Sequence, residues 1–173
     1  MACNWIYFPN NQRAPEKLRD VVAAFDQRMD LISSPDHTLS SNAVLESVST
    51  GLAKAGFEVE TSKKSDGLLR MPVLFRDRGE IEKSFYADAF HSELGIVIEV
   101  EAGRAVANNQ FLKDFFEACM MLDANYLCIA VRNVYESGST KSFDYERVTT
   151  FFKTLYASDR LRIPLKGVMI IGY

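Results

Sequence analysis

The run Gly95–Arg104, GIVIEVEAGR, constrains this chain more than any other. Ile96, Val97, Ile98 and Val100 are the residues of a buried strand, yet Glu99 and Glu101 stand among them. Side chains alternate along a strand, so Ile96, Ile98 and Val100 line one face. Val97, Glu99 and Glu101 line the other, with the two carboxylates as neighbours. Burying two unpaired charges of one sign is among the costlier things a fold can do, so something has to compensate them.

The flanking segments indicate what surrounds this strand. Pro15 followed by EKLRDVVAAFDQRMDLI places Leu18, Val21, Val22, Phe25, Met29 and Ile32 at helical spacing. LSSNAVLESVSTGLAKAG repeats the pattern through Val44, Leu45, Val48 and Leu52, with Gly56 as a stop. From Phe57 the period changes: FEVET alternates, LLRMPVLF is apolar and extended, and Gly79 precedes KSFYADAFH. With GIVIEVEAG these read as an antiparallel meander. Residues 104–123 return to helical spacing, with Phe111, Phe115, Ala118, Cys119 and Leu122 on one side. YLCIAVRNVY then reads as a buried strand, 144–157 as a helix and GVMIIGY as a final strand. Strands flanked by helices predict an α/β fold, a central sheet with helices on its faces.

At 173 residues and 47% hydrophobic composition the chain is expected to form one domain, residues 1–173. The formal net charge of −3 offers no global attraction for polyanions, so a nucleic-acid surface has to be local. Lys63, Lys64, Arg70, Arg76, Arg78, Lys83 and Arg104 cluster around the strand of interest. They read either as phosphate contacts or as ordinary loop and edge-strand charges. Cys3, Cys119 and Cys128 lack metal-ligand spacing, and His37 and His91 have no partner His or Cys. No run reaches the roughly 18 apolar residues of a membrane span, and no secretory leader is evident. The expectation is a cytoplasmic protein without membrane association.

Asp88 lies in the strand before GIVIEVEAG. If the connecting loop is Ser92–Gly95, His91 pairs with Ile96 and Asp88 falls opposite Glu99, with Cβ atoms roughly 5 Å apart. Three converging carboxylates repel one another and raise their own pKa values unless a cation sits among them. Oxygen-only donors suit a hard ion, Mg²⁺ or Mn²⁺, and such a site suits phosphodiester hydrolysis. The alternative is a solvated acidic strand face with no ligand.

Asp88, ten intervening residues and then Glu99-Val100-Glu101 resemble the PD-(D/E)xK nuclease superfamily. EVEAGRAVANNQFLKDFFEA further resembles the region after the active site in restriction endonucleases of the BamHI, BglII and BstYI type, where Glu or Gln replaces the usual lysine. The similarity in pattern spans about residues 40–135. It implies a restriction-endonuclease-like core with a mixed central β-sheet flanked by helices, Mg²⁺-dependent cleavage of double-stranded DNA, and a homodimer reading a palindrome. Asp88 and Glu99 are then the implied metal ligands, and Glu101 occupies the lysine's place. Ala87 stands where the family has proline. A glutamate cannot stabilise an anionic transition state as a lysine does, so Glu101 would act as general base or bind a second ion.

Glu46 on the second predicted helix is a further candidate metal ligand or a solvated helix residue. Lys113 offers positive charge near a scissile phosphate. Asn108 and Asn109, unusual inside a helix, either orient DNA or mark a distorted first turn. A repair or recombination nuclease shares this chemistry, and a catalytically silent nuclease-fold binding module is the alternative from another class.

Overall fold

The strand that carries the two glutamates lies inside a six-stranded mixed sheet. The computed structural model describes residues 2–62, 66–103 and 105–173. The basic positions Lys63, Lys64 and Arg104 lie outside the described residues. In chain order, β1 (Asn4–Phe8) is followed by α1 (Glu16–Asp26), α2 (Met29–Ile32), α3 (Ser41–Lys54) and β2 (Glu58–Val59). Next come β3 (Leu69–Phe75), a short 3-10 turn, β4 (Ile81–Ala87), β5 (Ala89–His91) and β6 (Ile96–Glu101). α4 (Gln110–Met120), β7 (Tyr126–Val131), β8 (Tyr135–Ser137), β9 (Thr140–Ser142), α5 (Asp144–Ser158) and β10 (Gly167–Gly172) follow.

The sheet order is β1-β10-β7-β6-β5-β2. β6, β7 and β10 are parallel, and the outer pairings are antiparallel. The parallel strands require crossovers, which α4 and α5 supply. These two helices cover one face of the sheet and α1 and α3 the other, which is why β7 and β10 are apolar without alternation. Ile96, Ile98 and Val100 pack with Cys128, Ala130, Met169 and Ile171 under α1 and α3. Val97 joins Leu127, Ile129, Val168 and Ile170 on the opposite face, against Phe111, Phe115 and Phe152 of α4 and α5. Two of the three phenylalanines of α4 meet α5 edge-to-face: Phe115 lies 5.3 Å from Phe152, and Phe111 lies 5.3 Å from Phe151. Each such aromatic pair adds about 1 kcal/mol beyond area burial and holds α4 in place beside β6. Among the described residues no helix is long and apolar enough to cross a membrane.

Several expectations are corrected. The helix expected through Ile32 ends at Asp26, because the Arg28 amide donates to the Phe25 carbonyl and tightens the turn. Met29 and Ile32 stay buried in α2, so the apolar period crosses a break that the backbone makes. The meander is two structures: β3 and β4 pair only with each other, while β2 pairs with β5 in the main sheet. The chain leaves one for the other at Asp88. The helix expected over 104–123 spans only Gln110–Met120, and Leu122 is 71% exposed rather than on its inner face. β1 and the β8–β9 hairpin have no counterpart in the sequence reading.

The predicted hairpin register is present, with His91 opposite Ile96, Phe90 opposite Val97 and Ala89 opposite Ile98. Gly95 sets it. Its φ is +63°, and a Cβ there would collide with the Asp123 carbonyl oxygen and with the Asn125 side chain. Its own carbonyl accepts from the Asn125 and Tyr126 amides at 2.7 and 2.9 Å, tying the turn to β7. Gly95→Ala is therefore expected to cost about 2 kcal/mol, through left-handed strain and overpacking together. Urea unfolding measures it, and a cost below about 0.5 kcal/mol would mean that the turn relaxes freely.

Candidate metal centre

β5 and β6 place Asp88 and Glu99 together. Asp88 sits between the last residue of β4 and the first of β5, and its Oδ2 accepts from the Val100 amide at 2.8 Å. That bond fixes the carboxylate against β6 beside Glu99. Glu101 follows on the same face, and its carbonyl accepts from the Tyr173 hydroxyl at 3.1 Å. α4 closes the site from the side: Gln110, Lys113, Asp114 and Glu117, spaced three and four apart, present one helical face to it. β4 supplies the remaining wall through Lys83 to Ala87.

The result is a cavity of about 390 Å³ with a strong imbalance of charge. Glu60, Asp88, Glu99, Glu101, Asp114 and Glu117 line it, against Lys83 and Lys113. Lys113 is more than half exposed and lies 3.4 Å from Glu117 and 3.9 Å from Asp114, so its charge is already engaged. Lys83 points its ammonium over the Phe85 ring at 5.4 Å.

The carboxyl groups respond as crowded, desolvated acids do. Burial, followed by the charges of Asp88, Asp114 and Glu101, holds Glu99 well above the usual carboxylate range. Burial and then the neighbouring Asp114 push Glu101 up to about 8. Burial pushes Asp114 up to about 6, against the stabilising bonds it receives. Glu101 and Asp114 lie close enough to share a proton, and they titrate as a pair.

Asp114 was not singled out from sequence. It is 5% exposed, its Oδ1 accepts from Gln110 Nε2 at 3.2 Å, and its Oδ2 has no donor besides a protonated Glu101. A signal was present: the aspartate falls on the apolar stripe of Phe111, Phe115 and Ala118, where an acid has no packing reason to be. Glu46 is exposed and lines a neighbouring cavity that, among the described residues, shares only Glu60 with this one. Asn108 and Asn109 are exposed and line no part of the site. Asn109 takes a left-handed conformation, φ +53°, and its carbonyl accepts the first helical amides, so the pair marks the distorted start of α4. The donor set, all oxygen and mutually repelling with one orphaned buried oxygen, suits a hard divalent cation. Among the described residues no three His, Cys, Asp or Glu side chains stand close enough to enclose an ion as they are placed.

The sequence matches no family model, and no curated protein is similar to it. The fold is similar to that in the crystal structure of restriction endonuclease BglII complexed with a DNA 16-mer, at a TM-score of 0.51 and 9% identity. The match covers 99% of this chain and 76% of that one. The chain thus has a restriction-endonuclease-like fold, a mixed sheet flanked by helices.

Proposed function

We propose that this protein is a metal-dependent endodeoxyribonuclease that hydrolyses phosphodiester bonds of double-stranded DNA in the manner of type II restriction endonucleases. One observation carries the reading: Asp88, Glu99 and Glu101 meet at one cavity on the sheet of a restriction-endonuclease-like fold. Asp88 and Glu99 are the proposed holders of Mg²⁺ or Mn²⁺. When bound, the ion supplies charge neutralisation at the phosphate and a more acidic water. Glu101 accepts the proton of the attacking water, the role left to a carboxylate where a lysine is missing. Lys113 is the cation of α4 within reach of a phosphate in this cavity, and its part is electrostatic. Ser41 and Ser84 add hydroxyls to the cavity wall that hydrogen-bond phosphate oxygens.

Among the described residues one cavity carries this carboxylate set, so cutting both strands takes two copies or two visits. We propose a homodimer. Incubating supercoiled plasmid with Mg²⁺, Mn²⁺ or EDTA is expected to give discrete, linear, metal-dependent products. Nicked circles in place of linear DNA would place one acting chain on each duplex. No cleavage of methylated, unmethylated or branched DNA, with no metal-dependent rise in melting temperature, sinks the catalytic reading. That result would favour a silent nuclease-fold binding module, in line with the spacing of the described carboxylates, no three of which are placed to hold an ion.

A further inference from the structure

We propose that Asp114 is a cation-holding carboxylate of this site, delivered from α4 to act beside Glu101. The inference rests on the metal-dependent reading above and extends it to a residue outside the hairpin motif. Its first support is position. Asp114 lies in the second turn of α4, past the reach of an N-cap, and among the described residues it is one of the few buried charged groups. Its neighbours on that stripe, Phe111, Phe115 and Ala118, pack into the core between α4, α5 and the sheet. An aspartate there sacrifices apolar burial, and no packing contact accounts for it.

The second support is an unmet bond. Oδ1 receives Gln110, whereas Oδ2 is buried and, once the proton shared with its acidic neighbour Glu101 is gone, lacks a donor. Among the described residues the ammonium beside it is Lys113 Nζ, 3.9 Å from Oδ1, which is more than half exposed and already engages Glu117. Two carboxyl groups from different elements, lining one cavity in which acids outnumber cations among the described residues, form an oxygen donor pair of the kind that hard divalent cations take. Gln110, one turn earlier on α4, then orients the carboxylate as an outer partner.

Mn²⁺ binding to the wild type, Glu99→Gln, Asp114→Asn and Glu117→Gln tests the proposal, followed by the electron paramagnetic resonance of free Mn²⁺ and by melting temperature. Asparagine keeps the shape and the acceptor for Gln110. Asp114→Asn is expected to weaken Mn²⁺ binding at least about tenfold, and Glu117→Gln less than about twofold. The metal-free Asp114→Asn protein is expected to melt at or above the wild-type temperature, which certifies its fold. Should it melt lower, Asp114→Ser replaces it in the same titration. Unchanged Mn²⁺ affinity in the folded Asp114 variant, with affinity lost in Glu99→Gln, overturns this inference and leaves the nuclease reading standing. A wild-type protein that takes up no Mn²⁺ overturns both.

Discussion

Glu99→Gln is expected to lower metal-dependent DNA cleavage by at least about 10³-fold while raising the melting temperature of the metal-free protein by a few degrees. The two effects have opposite signs because they belong to different states. With a cation present, Glu99 is proposed to hold it, and an uncharged amide at this position of β6 is a poor ligand for a hard ion. Without a cation, the Glu99 carboxylate is desolvated and faces the charges of Asp88, Asp114 and Glu101. Neutralising it removes repulsion that the described lysines of the cavity offset little, since Lys113 acts weakly and Lys83 is turned to Phe85. Turnover against metal concentration and calorimetry in EDTA measure both. Activity within tenfold of wild type would remove Glu99 from the reaction. A drop of several degrees in EDTA would make its carboxylate a structural group that the fold needs charged.

The part of this site legible in sequence is the part encoded locally. Strand alternation alone puts Glu99 and Glu101 on one face, and a four-residue turn ending in Gly95 fixes Asp88 beside them through the His91–Ile96 register. What escaped is decided by partners distant in sequence. β1 is half exposed, and it earns its place only by pairing with β10 at the other end of the chain. β3 and β4 have the pattern of strands, but pattern does not say that they leave the main sheet; the hydrogen bond from Val100 to Asp88 marks where they do. The start of α4 was misplaced because the left-handed turn at Asn109 delays the helix, although the apolar period hints at an earlier onset. Asp114 was overlooked for the same reason that it matters: it sits where periodicity predicts an apolar residue. An acid on an apolar stripe breaks the agreement between local pattern and core, and such breaks gather at functional sites.

The same groups set the pH dependence of the metal-free protein. Glu101 has a folded-state pKa of about 8 against 4.5 for the ordinary group, and Asp114 about 6 against 3.8. Between those limits the folded state binds more protons than the unfolded one, so stability falls as pH rises. The metal-free protein is expected to be most stable near pH 5 and to lose stability, of the order of 3 kcal/mol, by pH 8. Carboxylates held by salt bridges give the reverse trend, so the sign itself is diagnostic. Urea unfolding in EDTA at stepped pH reads the slope, and a rise in stability between pH 5 and 8 would mean that the acids are compensated within the chain. Millimolar Mg²⁺ is expected to flatten the decline, because a bound cation favours the deprotonated acids and stabilises the folded state in proportion to its occupancy. The pH at which Mg²⁺ begins to stabilise then reports the protonation of the Glu101–Asp114 pair directly, without any reliance on DNA or turnover. A decline that persists unchanged in Mg²⁺ would leave these carboxylates as a source of repulsion with no ion to relieve it.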